Sequence, residues 1–545
     1  MNQIIEAKER RQMSKPISNV RSPAFAEVIR FDEEVRRVVL SRGLEKGLPD
    51  LHQRFLDDGV AIRMAEETVL RLSKKGYSQS DHLPSRIAQG RYERYLERPL
   101  RVTANPSLVT PEQVVLMTNT VSLLEQTARK LRVVYRRDPQ LFIPYIGQGK
   151  SLENDILLPY HYESVFPWAK LDVYWVEKNG KLWPQILDIS SQCVTPFAFS
   201  AAHQGYCETV GLPLIEGAVP GISLAPGLER GMVMISTFQQ CYQQWCHHRG
   251  VLAKPFPLIV QIVGDGNHGR AEHEILNRRL KETTWGNRAV IVHPGNITFS
   301  PEGNTLRALI GNENQMVDLV IRACVNRQPY HPDFPEKADE AAAMTALTEA
   351  QRVSAACVIP EIGNRTFDSK GWAFVIRAKR FESIMREVME TPSRLELLQS
   401  CFPECAHLYP GSLRPELEDG STVTFDGANI KGYWRNWVFK SHDTSGSRGV
   451  DIPTSHDSNV RILSYFERAA NSPAGGMAQK FVLPPSVRVL TWTERGIEEL
   501  TARRKDVVYI SNGQIIGWWS VNEEGNSYYI HGSSAASQSV ALVMK

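Results

Sequence analysis

Residues 437–450 read Trp437-Val438-Phe439-Lys440-Ser441-His442-Asp443-Thr444-Ser445-Gly446-Ser447-Arg448-Gly449-Val450. The first five predict a strand, because aromatic and β-branched side chains suit a pleated, half-buried surface. The small residues that follow let the backbone bend sharply and turn its N–H groups toward an anion. A lysine one strand-end away supplies a point charge for phosphate. The stretch is not a P-loop, since GxxxxGK[ST] is absent and the lysine precedes the glycines. Taken singly, its pieces are equally an edge strand and a surface loop.

Outward on the C-terminal side, residues 477–483 predict a short buried strand, closed by Pro484-Pro485. Residues 487–494, 506–512 and 514–522 predict a run of antiparallel strands. On the N-terminal side, helical patterns cover 337–357 and 370–390. A lysine-bearing strand, a small-residue flap, a helix and then a hinge strand is the order that a nucleotide held between two sheets requires.

Further upstream, residues 257–264 predict a buried strand, and 264–269 match GxGxxG literally before a helix at about 271–281. A dinucleotide fold wants an acidic residue at the end of the next strand to hold the ribose. That strand, 288–292, ends instead in His293-Pro294-Gly295. We therefore read the glycines as a tight turn in a small parallel α/β layer, rather than an NAD site. The layer continues through 318–323, a strand carrying Arg322. The start of the 271–281 helix can still receive a carboxylate or phosphate, and His268 and Arg270 beside it are equally surface residues.

Residues 171–177 alternate and are rich in β-formers, Lys178-Asn179-Gly180 makes a turn, and 183–190 return as a second strand. Antiparallel pairing brings Asp172 and Asp188 into one neighbourhood. Like charges placed together call for a cation between them; two exposed strand carboxylates with separate water shells would need none. Before the hairpin, apolar residues recur at helical spacing over 24–75 and 110–137, as in Val114, Met117, Val121, Leu124 and Ala128. No catalytic motif lies there, which fits a packing or substrate-shaping region.

Composition narrows the classes. Lys plus Arg number 63 against 60 Asp plus Glu in 545 residues, a net charge of +3 that argues against a general nucleic-acid binder. No apolar run reaches the roughly 18–20 residues of a membrane span. Residues 1–22 are polar and lack the apolar segment of a signal peptide, so a cytoplasmic protein is expected. The 8 cysteines are scattered. Cys241 and Cys246, followed by His247 and His248, and the pair Cys401 and Cys405, lack CxxC spacing and read as ordinary thiols rather than zinc ligands.

Together these residues resemble the ATP-grasp enzymes, in the circularly permuted order of glutathionylspermidine synthase, from about residue 160 to the C-terminus. The resemblance implies an α/β (α+β) two-sheet nucleotide clamp, with a helical region over 1–150, a metal-carrying hairpin part over 151–250, a substrate layer over 251–335 and an ATP-binding part over 336–545. Lys170-Leu171-Asp172 looks like the family's Arg-x-Asp and Asp188-Ile189-Ser190 like its Glu-x-Asn. This implies Asp172, Asp188 and Ser190, or nearby Gln192, as ligands of Mg2+. Lysine replaces arginine and serine replaces asparagine at two of these positions. Lys370, Lys440, the flap Ser445, Gly446, Ser447, Gly449 and Val450, and the hinge Gln479, Lys480, Phe481 and Val482 correspond to ATP-binding positions. Lys170 and Arg322 are implied to hold a developing acyl phosphate. At Trp518-Trp519-Ser520 an arginine often found in the family is missing. The implied activity is an ATP-dependent carboxylate–amine ligase acting on small molecules; a decayed nucleotide-binding protein and a phosphotransferase are the alternatives.

Overall fold

The computed structural model describes residues 101–102, 107–147, 158–178, 181–191, 222–224, 231–263, 270–322, 338–426, 430, 433–442, 450–472, 475–493, 496–524 and 536–544. The helical pattern expected at 24–75 and the glycines at 264–269 lie outside them, as do Gln192 and His268. Thr110 and Gln113 form a reciprocal capping box that starts α1 (Pro111–Arg137). Its buried face includes Met117, Val121, Leu124 and Ala128, four of the five residues whose spacing predicts the helix. The helix α2 (Pro139–Ile146) follows. The expected hairpin is β1 (Ala169–Lys178) with β2 (Lys181–Ser190).

The middle of the chain continues with α3 (Gly231–His248), β3 (Ile259–Ile262), α4 (Arg270–Glu282), β4 (Ala289–Val292), β5 (Leu319–Arg322), α5 (Ala338–Arg352) and β6 (Cys357–Ile359). The four strands form an all-parallel sheet in the order β6-β5-β3-β4. Strands β3, β5 and β6 are buried along their whole length, as parallel strands covered on both faces are. One expectation fails here. The helical pattern at 337–357 ends at Arg352, and Cys357-Val358-Ile359 leaves it to pair with β5. A β-branched pair with room beside a buried strand gains more as a strand than as a further helical turn.

The pattern at 370–390 also divides, into α6 (Trp372–Arg377) and α7 (Glu382–Met389), before α8 (Pro392–Ser400). Ala378 is extended between them, and Lys379 donates its amide to the Glu418 carbonyl at 2.6 Å. Then β7 (Cys405–Leu408), β8 (Trp437–Ser441), α9 (Asn459–Ala470) and β9 (Gly476–Lys480) build an antiparallel sheet in the order β7-β9-β8, with a two-residue strand at each edge. The chain ends in β10 (Ser486–Thr493), β11 (Gly496–Ser511), β12 (Gln514–Glu524) and β13 (Ala536–Met544). The strand expected at 506–512 is the second half of the 16-residue β11. Its first half pairs with β10 and its second with β1, so the early hairpin and the late strands share one sheet, ordered β13-β12-β11-β1-β2.

Alternation then decides what each sheet presents. Leu171, Val173, Ile186, Val508 and Ile510 pack into the core that α1 joins. Lys170 and Asp172 therefore lie on the opposite face of β1. On the antiparallel sheet, Ala406, Leu408, Phe439 and Ala478 pack with Ile462, Phe466 and Ala469 of α9. The residues between them, His407, Lys440, Met477 and Gln479, line the other face. The fold is α+β, and among the described residues no helix is long and apolar enough to cross a membrane.

Candidate active site

In the hairpin, Lys170 stands opposite Ser190 and Asp172 opposite Asp188. The register then slips by one residue: Val173 faces Ile186 and leaves Leu187 as the extra residue of a bulge. The Leu187 carbonyl accepts Lys440 Nζ at 2.9 Å. Lys440 also donates to Gln479 Oε1 on the neighbouring strand β9. The side chains of Leu187 and Val482 pack against a common apolar cluster. The bulge thus brings the hairpin of one sheet against the lysine-bearing face of the other.

Lys370 reaches the same place by another route. The Ser191 amide, just past β2, donates to the Asp368 carboxylate and so fixes the turn leading into α6. Gly371 continues this turn so close to α2 that a Cβ there would stand 1.9 Å from the Tyr145 carbonyl oxygen. Lys370 Nζ lies 4.0 Å from Asp188 Oδ1, with its side chain 7% exposed. On the hairpin's other side, Lys505 Nζ donates to Asp172 Oδ2 at 2.8 Å. Acidic and basic groups from four separate segments therefore converge.

The charges influence one another. Burial lowers Lys440 to about 8; Asp188 draws it back up and Lys370 presses it down. Burial raises Asp368 to about 6, opposed by the Ser191 amide and reinforced by Asp188. Further along the Lys440 face, the rings of His442 and His407 are nearly parallel, at 8° with centroids 6.1 Å apart. Burial holds both neutral, His407 at about 3 and His442 well below its usual range.

The other residues singled out from the sequence fall as follows. Val450 pairs with Lys440 on a short returning strand. Ser445, Gly446, Ser447 and Gly449 lie outside the described residues. Arg270 opens α4. Arg322 belongs to the parallel sheet, where its Nε donates to the Pro360 carbonyl at 3.0 Å and its side chain is buried. At the expected hinge, the Gln479 side chain accepts from Lys440. The Lys480 and Phe481 amides are already bonded, to the Glu404 and Asn436 carbonyls at 2.7 Å each, and Lys480 Nζ pairs with Glu404 at 2.9 Å on the surface. Those two N–H groups are not available to a base edge.

Sequence reasoning missed Lys505, Asp368 and His442. Lys505 alternates with Val507 and Tyr509, the residues opposite Asp172 and Lys170, so its face was legible once that pairing was known. Nothing local announces a pairing across more than 300 residues. Asp368 and His442 owe their places to distant partners, the Ser191 amide and the His407 ring, which local sequence does not announce.

The donor set fits a magnesium nucleotide. Magnesium is usually held by one or two carboxylates completed by phosphate oxygens and water. Asp172 and Asp188 supply the carboxylates, with the Ser190 hydroxyl nearby. Among the described residues no group of three or more His, Cys, Asp or Glu is placed to hold an ion alone, so oxygens from a bound molecule would complete the shell. Lys370 and Lys440 supply positive charge beside the hairpin.

No protein-family model matches the chain, and no curated protein sequence does either. Among solved structures, the chain is similar to a glutathione synthetase-like effector from Globodera pallida in its apo form, at 10% identity and a TM-score of 0.49, covering 81% of this chain and 90% of that one.

Proposed function

We propose that the protein is an ATP-dependent carboxylate–amine ligase with the circularly permuted ATP-grasp layout, working on small-molecule acids and amines in the cytoplasm. The observation that carries this reading is the convergence of Lys370 and Lys440 on the Asp172–Asp188 hairpin. Phosphoryl transfer needs positioning and charge stabilisation more than covalent chemistry from the protein, and this cluster offers both. Asp172 and Asp188 would hold the magnesium, which would neutralise phosphate charge. Lys370 and Lys440 would bind phosphate oxygens, and the 445–450 segment would cover them. Lys170 would steady a substrate carboxylate as it becomes an acyl phosphate, and Arg322 would act by holding its end of the parallel sheet in place. An amine then captures the acyl group, releasing phosphate. Water must be kept out until it does.

A second reading has its own observation. Lys505 and Lys370 already neutralise part of the hairpin's charge without a metal, as suits a protein that binds nucleotide and no longer turns it over. Calorimetry with ATP and magnesium, followed by ADP release over a panel of acid and amine pairs, separates the two. ADP formed together with an amide supports the ligase. Tight binding with no turnover on any pair supports the second reading, and a phosphorylated acceptor without an amide marks a phosphotransferase. Absence of ATP binding overturns all three.

A further inference from the structure

Away from the lysine cluster, three side chains form a relay where α5 gives way to β6. His161 is buried, with Nε2 2.6 Å from Ser354 Oγ and Nδ1 3.1 Å from Glu361 Oε1. Glu361 Oε1 also receives the His161 main-chain N–H at 2.6 Å, and an ionised carboxylate only accepts. This arrangement places a proton on Nδ1; in the neutral ring Nε2 is then the acceptor, and the Ser354 hydroxyl donates to it. Hydroxyl, base and orienting carboxylate, in that order, are the parts of an activated serine. Glu361 is 1% exposed, and the Arg132 guanidinium lies 3.8 Å from its second oxygen. That confines the carboxylate.

Ser354 occupies an unusual place for a serine. Its φ is 57°, just past the end of α5. Glycine is the ordinary residue at such a left-handed helix end, and what serine adds is the hydroxyl. It is only partly buried, so a small molecule can reach it.

We propose that Ser354 is a nucleophile that accepts acyl groups from small activated esters, with His161 as general base and Glu361 orienting His161. Ser354 Oγ bonds to the acyl carbon, its proton passes to His161 Nε2, and the carbon–oxygen bond to the leaving alcohol breaks as that proton is returned to it. Water, deprotonated by the same nitrogen, then releases the acid and regenerates the hydroxyl. The Ser354 and Ala355 amides are bonded to the Gln351 and Ala350 carbonyls at 3.1 and 2.7 Å, so neither can serve an oxyanion. A missing donor of that kind slows an acyl step about 100- to 1000-fold. The acyl-serine therefore forms slowly and persists. The proposal does not depend on the magnesium-nucleotide reading, with which it shares no residue.

The test treats the full-length protein with p-nitrophenyl acetate, and separately with a fluorophosphonate probe, and maps modified peptides by mass spectrometry. One acetyl group on Ser354 and a burst of nitrophenolate approaching one equivalent are expected. Ser354→Gly suits the backbone, so it should stay folded by circular dichroism and lose the label. His161→Gln should slow labelling by about 100-fold or more. Labelling confined to other residues, or an unchanged rate in folded His161→Gln, would overturn the proposal.

Discussion

Lys440 of one sheet donates to the main-chain carbonyl of Leu187 in the other, at 2.9 Å, at the residue where the hairpin register slips. The contact ties the candidate phosphate-binding lysine to the strand that carries Asp188. It also explains how a buried ammonium is tolerated, since a carbonyl and the Gln479 amide oxygen both accept from it.

Replacing Lys440 by Met should therefore weaken Mg-ATP binding by roughly 10- to 100-fold, the value of a charge-assisted hydrogen bond. Isothermal titration checks it. Affinity within about twofold of wild type would remove Lys440 from the nucleotide site.

On the proposed reading, Lys505 and a metal would compete for the same carboxylate, Asp172. Lys505→Met should lower the magnesium concentration needed for half-maximal nucleotide binding, whereas Asp172→Asn should raise it. Magnesium titrations of the two variants at fixed ATP measure both shifts, and movement in the same direction would contradict the competition.

Gly371→Ala places a Cβ against the Tyr145 carbonyl oxygen. The α6 start must move, and Lys370 with it. The expected cost is about 1–3 kcal/mol of stability together with a loss of nucleotide affinity, read from chemical unfolding and calorimetry. Wild-type values for both would show that this close approach does not position Lys370.

Acid should destabilise the protein through its buried imidazoles. His273 is pushed down to about 3 by burial alone. An unfolded histidine titrates near 6.5. Between these values the unfolded chain holds a proton that the folded chain does not, so stability falls as pH drops through that window. The slope approaches about 1.4 kcal/mol per pH unit for one such group. His273→Phe should flatten the dependence between pH 6.5 and about 4, as measured by urea midpoints at several pH values.

Asp506 is buried and accepts from Trp175 Nε1 at 2.9 Å, Ser520 Oγ at 2.6 Å and Arg504 Nε at 2.8 Å. Asp506→Asn removes the carboxylate from the buried pair with Arg504, at a cost of about 3–5 kcal/mol. Urea unfolding followed by tryptophan fluorescence reports it directly.

Legibility from the sequence followed the range of the forces. The β1–β2 hairpin and α1 were readable because their turn, cap and apolar spacing are local. The stretch around Lys440 was readable because a strand and its polar exit are contiguous. The splitting of 370–390 was not, since Glu418, a distant residue, holds the break. Nor was β6, whose three residues are a strand only because β5 lies beside them. In the site, the facing of Asp172 and Asp188 followed from hairpin geometry, whereas Lys505 required the non-local pairing of β11 with β1. The contact of Gln479 with Lys440 likewise depends on the pairing of two strands that are distant in sequence.

Lys505 and Asp506 are neighbours on β11, so they project to opposite sides of one strand. The first answers the hairpin carboxylate and the second anchors the tryptophan-lined ionic knot. Any twist or slippage of that strand is felt by both at once. A substitution along β11 that shifts Lys505 therefore also disturbs the buried ionic cluster around Asp506.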